Sequence, residues 1–167
     1  MNQPALDPPA LQFLRRLRDA GVPFVIVGGH AVVVHGYRRT TDDLDLVWLR
    51  TPESESLLLE VLTAINAKWI TNEIDPATRL ERVEPVSLPY IRSRHLMMLF
   101  TEVGFLDLFD YVPGLPQAQV SEFFADSLEA DGLRFTSLTW LRRMKEAAGR
   151  LKDQLDLQEL DRLYKLP

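Results

Sequence analysis

The chain contains no cysteine. Disulfides and thiolate-bound metals are therefore excluded, and any metal must be held by oxygen or imidazole. The absence fits a reducing compartment, and a cytoplasmic location is the expectation. Histidine is scarce, with three in 167 residues. His30 and His35 are five apart, which does not place them on one helical face, so a two-histidine metal site is not expected. Long apolar runs are missing as well. The most apolar segment, FVIVGGHAVVVHG, is too short and too interrupted to span a bilayer. The start, MNQPALDPPALQ, lacks the basic and apolar blocks of a leader, and no membrane role is expected. Basic residues are in the minority, and the net charge is −5. This argues against a protein that coats nucleic acid. It leaves room for a local basic site, because a substrate responds to the nearby field.

What remains is an ordinary globular composition, 46% hydrophobic and 26% charged, of a length that suits one domain. DPPALQFLRRLRDAG predicts a helix capped by Asp7, with Pro8 in its first turn and Gly21 at its stop. PFVIV predicts a buried strand, HAVVVHG a short helix and DLDLVWL a second strand. A helix follows from Thr51-Pro52 to about Ala67. Residues 68–94, broken by Pro76, Pro85 and Pro89, are expected to form a covering loop with short extended pieces. HLMMLFT and GFLDLFDYV read as two strands, and SEFFADSLEADGLRF as a short helix and a hairpin. Two helices follow, broken at Gly149. The expected fold is α+β, an α/β sandwich with a mixed sheet and a helical C-terminal end. Residues 1–135 would form the core, with 136–167 a helical segment packed on it.

The chemistry is concentrated in VGGHAVVVHGYRRTTDDLDL, residues 27–46. Asp43 and Asp45 are two apart, so on a strand they share a face, while Leu44 and Leu46 share the other. Adjacent carboxylates repel unless a cation lies between them, and Mg²⁺ favours such oxygen ligands. Asp42 faces away and is a bystander. Asp107 lies inside an apolar strand on the face of Phe105 and Phe109, where a carboxylate is costly without a partner. If that strand neighbours the first, Asp107 completes a three-carboxylate group. Gly28-Gly29 follows a strand and opens a helix, where a phosphate can approach the backbone. Arg38 or Arg39 can pair with carboxylates or with phosphate, and Thr41 can order the loop. Near the C-terminus, Arg142, Arg143, Lys145, Arg150 and Lys152 form a basic stripe, with Leu141, Ala148, Leu151 and Leu155 on the apolar side. That stripe fits either a solvated helix or a wall for a triphosphate.

Taken together, these residues resemble the signature of the DNA polymerase β-like nucleotidyltransferase superfamily. Gly28, Gly29, Asp43, Asp45 and Asp107 occupy its motif positions. SLTWLRRMKEAAGRLKDQLDLQEL is similar to the C-terminal region of AbiEii-like bacterial proteins, with Lys145, Arg150, Lys152 and Asp153 matching. His30 stands where many active members have Ser or Thr. The resemblance implies a nucleotidyltransferase-like sheet and transfer of a nucleoside monophosphate from an NTP to an acceptor hydroxyl, with pyrophosphate leaving. It implies Mg²⁺ (or Mn²⁺) on Asp43, Asp45 and Asp107, with Asp107 activating the acceptor. Gly28, Gly29, Arg39, Thr41, Lys145, Arg150 and Lys152 would bind the nucleotide. Acceptors in the superfamily include tRNA, protein and small molecules, and some AbiEii-like members are toxins with a cognate antitoxin. The alternative expectation is a non-catalytic nucleotide- or partner-binding protein that keeps this fold.

Overall fold

The computed structural model describes residues 6–166; residues 1–5 of the segment read above for a leader, and residue 167, lie outside the described residues. The chain begins with α1 (Pro8–Asp19), capped by the Asp7 carboxylate, which accepts from the Ala10 amide at 3.2 Å. Phe13, Leu14 and Leu17 form its buried face. Then come β1 (Phe24–Ile26), α2 (Gly28–Val34), β2 (Asp43–Trp48) and α3 (Pro52–Ala64). A reciprocal Thr51–Ser54 capping box starts α3. Helix α2 starts at Gly28 rather than after the glycine pair, because Val27 is extended and Gly28 turns the chain at φ +64°.

The segment expected to be a covering loop is instead ordered. It forms β3 (Lys68–Ile74), β4 (Glu81–Pro85) and α4 (Leu88–Ser93). Its prolines sit where they break nothing: Pro76 between the strands, Pro85 at the end of an edge strand, Pro89 in the first turn of α4. Strand β4 is exposed throughout, so it carries no alternating pattern for a sequence reading to find. The remainder is β5 (Leu96–Thr101), β6 (Gly104–Phe109), α5 (Val120–Ala125), β7 (Leu128–Ala130), β8 (Leu133–Phe135), α6 (Leu138–Ala148) and α7 (Leu151–Tyr164). Gly149, at φ +61°, separates the last two helices as expected.

The strands form one mixed sheet in the order β4-β3-β5-β6-β2-β1-β8-β7. The fold is α+β with helices on a mixed sheet and a helical C-terminal end, as the sequence predicts. Alternation along each strand separates two faces. Leu44, Leu46, Trp48, Leu106 and Leu108 point into a core closed by α1, α3 and α4. Val25, Val27 and Val47 face the other way, under Phe123 of α5 and Trp140 and Met144 of α6. Helices α5 and α6 thus cover only part of that second face. The part carried by β3, β5 and the start of β6 is open, and Ile70, Met98 and Phe105 are exposed there. Among the described residues no helix is long and apolar enough to cross a membrane.

Candidate active site

Strands β2 and β6 are parallel neighbours, with Asp43 opposite Phe105 and Asp45 opposite Asp107. Neighbouring strands lie about 5 Å apart, so residues in register on one face stand side by side. Asp43, Asp45 and Asp107 therefore share the second face of the sheet. The electrostatics agree with this proximity. Burial pushes the Asp45 carboxyl up from 3.8 to about 6, Asp107 and Asp43 add to the rise, and Lys152 and Lys145 oppose it. Asp107 is also raised, first by burial and then by Asp43. None of the three carboxylates forms an ion pair with a described residue. They are an open row rather than a closed cage: among the described residues, no group of three Asp, Glu or His side chains clusters closely enough to hold an ion by itself.

The glycine pair is explained first by protein contacts. A Cβ on Gly28 would lie 1.9 Å from Oδ2 of Asp45. A Cβ on Gly29 would lie 2.2 Å from Oγ1 of Thr41 and 3.1 Å from Arg39 Nη2. These two positions leave no room for a side chain, because the Asp45 carboxylate and the 39–41 loop pack directly on the start of α2. The Val27 amide also donates to the Asp45 carbonyl at 2.9 Å, which pins β2 to this turn.

The C-terminal cations do gather around the site, but most are already engaged. Lys145 is buried and reaches Asp156 at 2.7 Å and Asp153 at 3.1 Å. Arg39 clasps Asp156 with two hydrogen bonds, at 2.7 and 3.0 Å. Arg150 donates to Asp153 at 2.7 Å. Burial pushes the Asp153 carboxyl up, but the hydrogen bonds from Arg150 and Lys145 outweigh it and hold it below the ordinary range. Three cations thus share two buried aspartates, and the positive excess faces Asp45. Lys152 differs from them: it is exposed, makes no ion pair with a described residue, and acts on Asp45 through its charge. Ala148 is exposed rather than on the apolar side of this stripe, and the same expectation for Leu151 and Leu155 is incorrect. They are 74% and 51% exposed, and α7 buries Asp153, Asp156 and Leu160 instead. The salt-bridge network takes the inward face of the helix and rotates those leucines outward.

Asp110, three residues on from Asp107, points to the opposite side. It accepts from Arg50 Nε at 2.7 Å and faces the His95 ring at 3.0 Å. Asp42 is exposed and lines a separate cavity with Arg38 and His30. His30 is buried. His35 caps the end of α2 and bonds the Thr136 carbonyl at 2.9 Å. Asp156 was not singled out in the sequence. Its signal was available in the i, i+3 spacing of Asp153 and Asp156, which puts both on one face of a helix.

The chain matches no protein-family profile and no curated protein. Similar solved structures include JHP933 from Helicobacter pylori, at 19% identity and a TM-score of 0.44, with 96% of this chain and 68% of that one covered. Another, from H. pylori and provisionally described as a nucleotidyltransferase, is 19% identical with a TM-score of 0.38, covering 84% of this chain and 59% of that one.

Proposed function

We propose that this protein is a metal-dependent nucleotidyltransferase that moves a nucleoside monophosphate from an NTP to an acceptor hydroxyl. The observation that carries the reading is the row Asp43–Asp45–Asp107, unpaired by any cation of the described chain and bordered by a cationic wall. A site built this way carries more negative charge than its neighbours neutralise. The donor set suits Mg²⁺ or Mn²⁺, held by Asp43, Asp45 and Asp107 and completed by substrate phosphate and water. A bound metal would supply charge stabilisation at the phosphoryl group.

The remaining chemistry belongs to the chain. Lys152 is the cation free to meet the triphosphate, while Lys145, Arg39 and Arg150 supply a fixed positive field from their paired positions. Thr41 and Arg39 hold the loop against Gly29, and Gly28 leaves Asp45 its place. Asp107, with its raised affinity for a proton, takes the proton of the acceptor hydroxyl. The acceptor oxygen then bonds the α-phosphorus as the bond to pyrophosphate breaks.

The alternative is a nucleotide- or partner-binding protein without turnover, and one observation favours it: three of the expected phosphate cations are already paired. Incubation with each α-labelled NTP, Mg²⁺ and RNA, protein and small-molecule acceptor fractions separates the two. Transfer is expected with wild type and lost with Asp43→Ala. Nucleotide-dependent thermal stabilisation without label transfer to any fraction would leave only the binding role. AbiEii-type toxin activity, with a cognate antitoxin, is a narrower form of the same proposal, tested by growth arrest on induction.

A further inference from the structure

We propose that β4 is a self-recognition edge, and that its partner is β4 of a second copy of this chain, antiparallel to it across a twofold axis through Val83. This goes beyond the nucleotidyl-transfer reading and does not depend on it. Strand β4 closes the sheet on one side and β7 on the other. The first has five residues, all exposed, and the second has three.

An edge strand presents unpaired backbone groups. The Leu80 carbonyl accepts from the Asp75 amide at 2.8 Å, and the Val86 amide donates to the Ala67 carbonyl at 3.2 Å, both toward β3. Alternation then turns the backbone of Glu81, Val83 and Pro85 outward. Two copies centred on Val83 exchange both hydrogen bonds of that residue. The Glu81 amide of each copy donates to the Pro85 carbonyl of the other. Pro85 has no N–H to offer, which ends the ladder at that pair.

Charge selects the occupant. The sequence ERVEP is antisymmetric about Val83, with Arg82 before it and Glu84 after it. In the pairing, Arg82 of each copy stands opposite Glu84 of the other, at a position where cross-strand side chains approach most closely. Glu84 forms no ion pair with a described residue, and Arg82 holds the exposed Glu73 at 2.9 Å. On the other face Glu81 comes opposite Pro85, whose neighbour on β3 is Lys68. Neither Glu81 nor Lys68 forms an ion pair with a described residue. The lysine stem is long enough to reach Glu81 of the second copy across the proline.

Apolar surface runs the same way. Val83 stands opposite Ile70, and the two are 47% and 51% exposed. The pairing sets Val83 against Val83 and carries this stripe across the axis. An unrelated extended peptide would need the same charges in reverse order, which a second copy supplies by symmetry. A twofold axis normal to the sheet keeps both open faces on one side. From β6 through β5, β3 and β4 and back again is about seven strand spacings, so the two carboxylate rows would stand roughly 34 Å apart. The ladder is smaller than a standard interface, and association in the micromolar range is expected.

Sedimentation velocity on the full chain, over a micromolar concentration series, reads the oligomer. Wild type is expected to pass from monomer to dimer. Arg82→Glu and Glu84→Arg each set like charges opposite one another twice, and each should weaken the dimer about tenfold. The double variant Arg82→Glu/Glu84→Arg restores the complementary order and should recover the dimer. An equimolar mixture of the two single variants should recover it as well. Melting curves check that these surface changes leave the monomer folded. The chain has no cysteine, so single-cysteine variants report the location. With a short bis-maleimide, Val83→Cys should cross-link into a covalent dimer, and Leu128→Cys on the far edge should not. Four results would overturn the proposal: wild type that stays monomeric throughout, single variants that dimerise as well as wild type, a double variant that does not recover, or cross-linking through Leu128→Cys in place of Val83→Cys.

Discussion

Gly28 and Asp45 compete for one volume: the Cβ that any other residue would bring lies 1.9 Å from the Asp45 carboxylate oxygen. Gly28 also sits at φ +64°, where an L side chain is strained. Gly28→Ala should therefore cost about 2–4 kcal/mol of stability and push the carboxylate off the sheet face. Thermal unfolding should report the first effect. Loss of nucleotidyl transfer below the melting point should report the second. Unchanged melting and turnover in this variant would mean that the close approach has no functional weight.

Asp45 makes stability depend on pH in a direction opposite to most aspartates. Its carboxyl in the metal-free folded protein titrates at about 6 against 3.8 ordinarily. The folded state then holds the proton more tightly than the unfolded one. Stability contributed here is present below about pH 4, declines as pH rises to 6, and stays lost above it. The shift corresponds to at most about 3 kcal/mol. In EDTA, Asp45→Asn should melt higher than wild type at pH 7.5 and much closer to it at pH 4. A variant less stable at neutral pH would contradict the charge crowding.

Asp107 and Asp110 lie three apart and should behave in opposite ways. Asp107 has no cationic partner, whereas Asp110 holds Arg50 at 2.7 Å. Asp107→Asn should abolish label transfer while keeping or raising the melting temperature. Asp110→Asn should retain transfer and lose about 1–3 kcal/mol, because Arg50 also braces Glu55 and the Ile91 carbonyl. Circular dichroism melts beside a transfer assay decide between them, and a reversal of the two phenotypes would move the third carboxylate to Asp110.

Lys145 is the keystone of the buried network. Lys145→Met leaves Asp153 and Asp156 with one arginine each, so about 3–5 kcal/mol should be lost. Adding Asp156→Asn removes one of the stranded charges, and the double variant should recover part of that loss. A double-mutant cycle on denaturant midpoints measures the coupling. Additive losses would show that Lys145 and Asp156 do not depend on each other.

Much of the site was legible because strand alternation is local. The spacing of Asp43 and Asp45, and of Asp107 among Phe105 and Phe109, gave their faces without any knowledge of the fold. Asp7, Thr51 and Gly149 likewise announced helix ends, since capping involves only near neighbours. The stretch 68–94 was not legible. Its edge strand is wet on both sides, and its prolines lie at element ends, so neither apolar period nor uninterrupted propensity marks it.

By itself the sequence determined that the carboxylates on each strand would face away from the leucine core, because side-chain direction alternates strictly along a strand. Only the tertiary structure decided that Asp45 would stand opposite Asp107, since the register between β2 and β6 depends on the packing of everything between them. It also decided the fate of the cations. Lys145, Arg39 and Arg150 look equally free in the sequence, yet burying Asp153 and Asp156 requires compensating charge, and these three supply it. Lys152, turned outward on the same helix, is exposed and makes no ion pair with a described residue.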